Sequence, residues 1–138
     1  MLVTNKADFD IAMLGASAGT NIQLPGGTIN WELNVYNLCT IDGNGTTIDV
    51  SGLSKTEAVR VTVNAALSNF RAKNDTGDGV YIKGCAPDLS QVFAECVNAY
   101  KFENVNGGSF DQLDATTSEF GFKIINTRNA SFNRCDAH

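Results

Sequence analysis

Val63-Asn64-Ala65-Ala66-Leu67-Ser68-Asn69-Phe70, Val97-Asn98-Ala99-Tyr100-Lys101-Phe102-Glu103-Asn104-Val105 and Arg128-Asn129-Ala130-Ser131-Phe132-Asn133-Arg134-Cys135 follow one pattern. Each has an Asn-Ala step followed by an apolar-x-x-apolar pair: Leu67/Phe70, Phe102/Val105 and Phe132/Cys135. The Asn-Ala steps begin at Asn64, Asn98 and Asn129, so they recur at similar intervals. An earlier pair, Val35/Leu38, precedes Leu67/Phe70 by a comparable interval but lacks the Asn-Ala step. A spacing of this size marks a repeat architecture, for which periods run from about 20 to 50.

Short strands run beside these segments. Gly79-Val80-Tyr81-Ile82, Gly121-Phe122-Lys123-Ile124 and Thr47-Ile48-Asp49-Val50 alternate apolar and polar residues. Val59-Arg60-Val61-Thr62-Val63 and Val92-Phe93-Ala94-Glu95-Cys96 likewise carry an apolar residue at every second position. Period-two spacing over four to six residues is the signature of a strand with one buried face. Short strands, turn residues and a wandering period together predict an all-β chain, a short right-handed parallel β-helix of about four turns. One coil cannot bury its inward face alone, and the next coil does it by stacking. On this spacing Leu67, Phe102 and Phe132 form one internal stack, and Phe70, Val105 and Cys135 another. The chain contains 15 asparagines, which tolerate left-handed turns and can pair up a stack of parallel strands. Asn64, Asn98 and Asn129 are therefore assigned to turns or ladders.

The N-terminal segment reads differently. Thr4 or Asn5 can cap a helix over residues 6–16, whose Phe9, Ala12, Met13 and Ala16 share a face. Next, Gly19-Thr20-Asn21-Ile22-Gln23-Leu24-Pro25-Gly26-Gly27-Thr28-Ile29 reads as turn, strand, turn, strand. This opening, followed by Ile41-Asp42-Gly43-Asn44-Gly45-Thr46-Thr47-Ile48, resembles the pectin-lyase-like right-handed parallel β-helix superfamily, whose first coil is plugged by a helix. The resemblance spans nearly the whole chain. It implies one domain over residues 1–138, with a capping segment at 1–18 and coils at 19–138. Phage tailspikes and polysaccharide-degrading enzymes share this fold, so it says little about activity.

Composition narrows the function classes. The net charge is −5 and charged residues make up 18%. No run of Lys or Arg supplies the basic stripe that nucleic-acid binding requires. The start, Met1 to Lys6, lacks the pattern of a signal peptide. No apolar run approaches the roughly 18 residues of a membrane span. Cys39, Cys85, Cys96 and Cys135 form no C-x-x-C pair. They are read as reduced core residues, with a disulfide between coils as the alternative.

Catalytic groups are hard to find. Hydrolysis of a glycosidic bond needs two carboxylates about 5–10 Å apart; elimination, as the resembling family does it, needs a base and often a Ca²⁺ site. Asn74-Asp75-Thr76-Gly77-Asp78-Gly79 is the nearest carboxylate motif, loosely similar to the Asn-Thr-Asp segment of pectin-hydrolysing proteins but in a different order. That family's Gly-His and Arg-x-Lys steps are missing, and the motif is read as a turn. Asp111 and Asp114 are assigned to an exposed loop, and His138, the only histidine, to a mobile end. Trp31, Tyr36, Tyr81 and Tyr100 could stack on sugars or on another subunit, with Tyr81 and Tyr100 expected to point outward. No catalytic residue, metal ligand or cofactor site is assigned.

Three functions remain open: a structural virion protein, a tailspike-like glycan-binding module, and a small polysaccharide lyase or hydrolase. The favoured expectation is a homotrimeric decoration or cement protein, assembled in the host cytoplasm and located in the virion. It would bind the major capsid protein or another virion protein and stabilise a phage head, without touching nucleic acid or membrane. Low charge supports it. So does a sequence that runs to His138 with no helix after the last apolar pair to cover that coil's apolar side chains and strand edges.

Overall fold

The computed structural model describes the backbone of residues 1–138 and every side chain except that of Ser118. The chain winds into a short right-handed parallel β-helix of about five turns, one more than the sequence reading predicts. One helix, α1 (Lys6–Leu14), precedes the strands β1 (Asn21–Gln23), β2 (Thr28–Ile29), β3 (Leu33–Val35), β4 (Thr40–Asp49), β5 (Glu57–Val61), β6 (Ala66–Lys83), β7 (Asp88–Glu103), β8 (Ser109–Ile125), β9 (Ser131–Asn133) and β10 (Asp136–Ala137). Every strand pairing is parallel, running β1-β4-β6-β7-β8-β10 with β2, β3, β5 and β9 alongside. Among the described residues, no helix is long and apolar enough to cross a membrane.

The register corrects the period. Leu67 pairs with Leu89, Leu89 with Phe110, and Phe110 with Phe132. One full coil is therefore the stretch from Leu67 to Leu89, about two thirds of the spacing between the Asn-Ala steps. Leu67 and Phe132 do share a column, but Phe102 does not belong to it. Phe102 stacks under Val35, Val61 and Ile82 and above Ile124, in a different column. Its ring meets Phe110 and Phe132 inside the coil, at 4.9 and 5.3 Å between centroids. Phe70 stacks on Val92 and then Leu113. Val105 belongs to a different corner, beside the bridge between Asn106 and Arg128.

The mistaken spacing has a physical origin. Each coil turns a corner at a residue in the left-handed region: Asn69 (φ 61°), Gln91 (φ 55°), Gln112 (φ 57°) and Arg134 (φ 53°). Its other sharp corner uses the same device, at Gly84 (φ 66°), Asn104 (φ 55°) and Asn126 (φ 47°). Leu67-Ser68-Asn69-Phe70 and Phe102-Glu103-Asn104-Val105, one from each corner type, both read apolar-polar-left-handed-apolar, because the side chains on either side of the bend both point inward. Hopping from one corner type to the other gives a false period of one coil and a half.

Inside, the columns are almost wholly apolar. Leu33, Val59, Val80, Tyr100 and Phe122 form one; Ile29, Ile48, Ala72, Ala94, Ala115 and Ala137 form another. The alanine column makes room for large neighbours, as dense packing requires. Gly79 is also tightly enclosed: an added Cβ would lie 2.5 Å from Ala99 O and 2.7 Å from Cys96 Sγ.

Helix α1 plugs the first coil. Asn5 caps it by accepting from the Asp8 N–H at 2.8 Å, as expected. It ends at Leu14, two residues short of the expected Ala16, where Gly15 takes over as C-cap. Phe9, Ala12 and Met13 bury into the core, and Trp31 lies against Phe9 with ring centroids 5.6 Å apart. The Asn37 amide donates to Met13 O at 3.0 Å and so satisfies a carbonyl at the helix end. Glu32 sits between Lys6 (3.2 Å) and Lys55 (3.4 Å), tying the helix to the coils. Burial would raise its carboxyl, but hydrogen bonds and the two ammonium groups outweigh that and lower it.

Candidate functional site

The outer surface carries its side chains in vertical columns, because parallel register places every coil's equivalent residue above the last. Asn34, Arg60, Tyr81, Lys101 and Lys123 form one column. Tyr81 does point outward, yet it is only 9% exposed. Arg60 and Lys101 lie 5.2 and 5.0 Å from its ring centroid, and its hydroxyl donates to Glu103 at 2.9 Å. Desolvation, with help from that carboxylate, raises the Tyr81 phenol. The ring is covered and offers little stacking area.

Tyr100 points inward, contrary to the expectation. It stands two residues before Phe102 on one strand, so the two share a face. Its hydroxyl lies 2.9 Å from both Val92 O and Asp114 O and donates to either. Burial pushes its phenol strongly upward. Trp31 is half-buried against the helix, and Tyr36 is exposed. The candidate sugar-stacking aromatics are therefore not brought together.

The three asparagines assigned to turns and ladders do bridge coils, but each in its own way. Asn64 Oδ1 accepts from the Ala86 N–H at 2.7 Å. Asn98 Nδ2 donates to Asp78 Oδ1 at 2.9 Å, and Asn129 Nδ2 to Asn106 Oδ1 at 2.8 Å. Only Asn129 of the three has left-handed backbone, and they do not stack on one another. Asn74, fully buried, donates to Lys55 O and Asp78 O, both at 3.0 Å, and so pins the bend at Gly77.

The Asp75/Asp78 motif is occupied with such work. Asp75 Oδ1 accepts from the Gly52 N–H at 2.8 Å, and Asp78 is the acceptor for Asn98. Asp75 also lines a shallow groove of about 370 Å³ with Ser51, Lys73, Glu95, Thr116 and Thr117, whose Lys73 and Glu95 form an ion pair at 3.2 Å.

Asp111 and Asp114 are strand residues of β8, not loop residues. Alternation was legible there, since Phe110, Leu113 and Ala115 are buried around them. Arg134 Nε and Nη2 grip Asp111 at 3.1 and 2.7 Å, and that guanidinium holds the Asp111 carboxyl below its ordinary value. The backbone N–H of His138 donates to Ala115 O at 2.8 Å.

The four cysteines are free, with Cys39, Cys85 and Cys96 buried and Cys135 partly exposed. Desolvation raises the Cys39 thiol and pushes Cys85 up to about 11 and Cys96 up to about 12.

Apart from Tyr36, Leu38 and Leu53, the exposed large apolar side chains of the described residues lie at the two ends of the coil. At the last coil Phe120 and Ile124 are 50% exposed, and Ile125 and Phe132 39%. Ile124 and Phe132 belong to inward columns, and among the described residues no further coil stacks on them. At the opposite end, Met1, Leu2, Ile11 and Leu14 are exposed. No family model, no curated protein and no solved structure matches this chain.

Proposed function

We propose that this chain is a structural virion protein of the pectin-lyase-like β-helix type, a homotrimeric cement or decoration protein that stabilises a phage head. The supporting observation is the exposed core of the last coil, where Ile124 and Phe132 sit in inward columns yet face solvent. Such a surface gains by being covered; each Å² of apolar area removed from water is worth roughly 25 cal/mol. A symmetric closed assembly covers it economically, at a typical contact of about 800 Å² per partner. The helix end, with Ile11 and Leu14 exposed, offers a second apolar contact for a capsid subunit. Binding to the assembled head alone would stabilise that head by mass action.

A tailspike-like glycan module or a polysaccharide-degrading enzyme draws less support. Tyr81 is covered by cations, Tyr100 faces the core, and Asp75 and Asp78 are tied up as acceptors. Sedimentation of the unmodified protein and of Ile124→Glu tests the proposal. The unmodified protein is expected at three times the 14.7 kDa chain mass, and the variant at one chain mass with an unchanged circular dichroism spectrum. A monomeric unmodified protein, or a variant that assembles equally well, would overturn it.

A further inference from the structure

Asp114, Asp136 and His138 meet on the outer face of the last coil, with one ligating atom from each within 4.8 Å of the others. We propose that they form a binding site for a divalent transition metal, of which Zn²⁺ is the best fit, that fastens β10 to β8. This inference stands apart from the proposed function.

Four observations carry it. First, the geometry suits ligation. His138 Nε2 lies 3.1 Å from Asp114 Oδ1 and 3.2 Å from Asp136 Oδ2. Ligands bound to zinc at about 2.0–2.2 Å, with angles between about 90° and tetrahedral, are separated by about 2.8–3.6 Å. Second, the backbone fixes the site. Asp114 and Asp136 are register partners on adjacent parallel strands, and the His138 N–H continues that ladder onto Ala115 O.

Third, two carboxylates stand directly over one another. Like charges at neighbouring ladder positions repel, and a cation between them relieves this. Fourth, Asp114 Oδ1 is shielded from solvent and receives no well-formed hydrogen bond, even though the imidazole is at ion-pair distance. An acceptor left so is unusual, and a metal ion would use its lone pair.

The donor set points to the metal class. Imidazole with two carboxylates suits zinc and its neighbours, whereas Ca²⁺ and Mg²⁺ prefer all-oxygen shells. Three protein ligands leave a fourth zinc position for water or a neighbouring subunit's side chain.

The alternative is that a protonated His138 merely bridges the two acids. Calorimetric titration of the tag-free protein with Zn²⁺ alone, in a buffer without phosphate or chelator, separates the two. The proposal expects one saturable site per chain in the micromolar range and no comparable uptake of Ca²⁺. His138→Ala and Asp114→Asn should each weaken binding at least about tenfold, whereas Asp10→Asn, in the exposed first helix, should leave it unchanged. Should Asp114→Asn fail to fold, the exposed His138→Ala still decides, since circular dichroism reports its fold independently. Imidazole resonances of His138 should shift with Zn²⁺ in the same stoichiometry. No saturable uptake at millimolar Zn²⁺, or equal uptake by His138→Ala, would overturn the site.

Discussion

Replacing Tyr100 by Phe removes one oxygen atom from the middle of the coil. The ring is fully buried and stacks on Phe122 at 5.1 Å with an interplanar angle of 11°, and phenylalanine keeps that contact. Lost is a hydroxyl 2.9 Å from two carbonyls, Val92 O and Asp114 O. A net hydrogen bond contributes about 0.5–1.5 kcal/mol, and a buried polar group left without its partner adds to the loss. A destabilisation of about 1–2 kcal/mol follows. With a urea slope of about 2 kcal/mol per molar, the middle of the usual range for small proteins, the unfolding midpoint should fall by roughly 0.5–1 M. Tyr36→Phe, at an exposed position, should stay within about 0.5 kcal/mol of the unmodified protein. Spectroscopic titration gives a second reading: the Tyr100 phenol, raised by burial, should ionise only as the coil unfolds. Equal midpoints for Tyr100→Phe and Tyr36→Phe would refute the inward placement of Tyr100, and with it the column from Leu33 to Phe122.

Two further outcomes follow from the packing. Gly79→Ala places a methyl against Ala99 O and Cys96 Sγ at 2.5 and 2.7 Å and should cost about 1–3 kcal/mol by overpacking, read from the same urea midpoints; an unchanged midpoint would mean the coil is looser than described. The buried thiols make stability fall at high pH. Their folded pKa values are raised, to about 11 for Cys85 and about 12 for Cys96, so the stability they confer is complete below the unfolded value of about 8.5 and is lost as pH rises through the folded values. The decline should reach at most about 1.4 kcal/mol per pH unit per buried thiol, and Cys96→Ala should flatten it; an identical slope in that variant would place Cys96 at the surface.

The class of fold was legible because period-two strands such as Val59-Arg60-Val61 bury alternate residues whatever the coil length. Helix α1 was legible because Asn5 and the Phe9–Ala12–Met13 face are local signals. Coil length was not, since the two corners of each coil look alike in sequence. Leu67-Ser68-Asn69-Phe70 and Phe102-Glu103-Asn104-Val105 both bend through a left-handed residue, though they lie in different columns. The true repeat extends two residues further: Leu67-Ser68-Asn69-Phe70-Arg71-Ala72, Leu89-Ser90-Gln91-Val92-Phe93-Ala94, Phe110-Asp111-Gln112-Leu113-Asp114-Ala115 and Phe132-Asn133-Arg134-Cys135-Asp136-Ala137. Its alanine, forced by the crowded inner column, is the signal that separates the two corners. The Asp114–Asp136–His138 cluster was hidden for the same reason, because a wrong coil length does not bring Asp114 and Asp136 into register.

The coil that returns Leu67 to Leu89, Leu89 to Phe110 and Phe110 to Phe132 underlies the inward columns, the outer Asp114–Asp136–His138 cluster and the exposed core at the last coil. Backbone NOEs in the isotope-labelled, perdeuterated protein test it most directly. Register pairs sit about 4.8 Å apart across neighbouring parallel strands, so contacts are expected between the backbones of Ser68 and Ser90, Ser90 and Asp111, and Asp111 and Asn133. A longer coil that stacked Phe102 on Leu67 would instead place Glu103 beside Ser68. NOEs between those two backbones, in the absence of the Ser68–Ser90 contact, would contradict the structure and everything built on it.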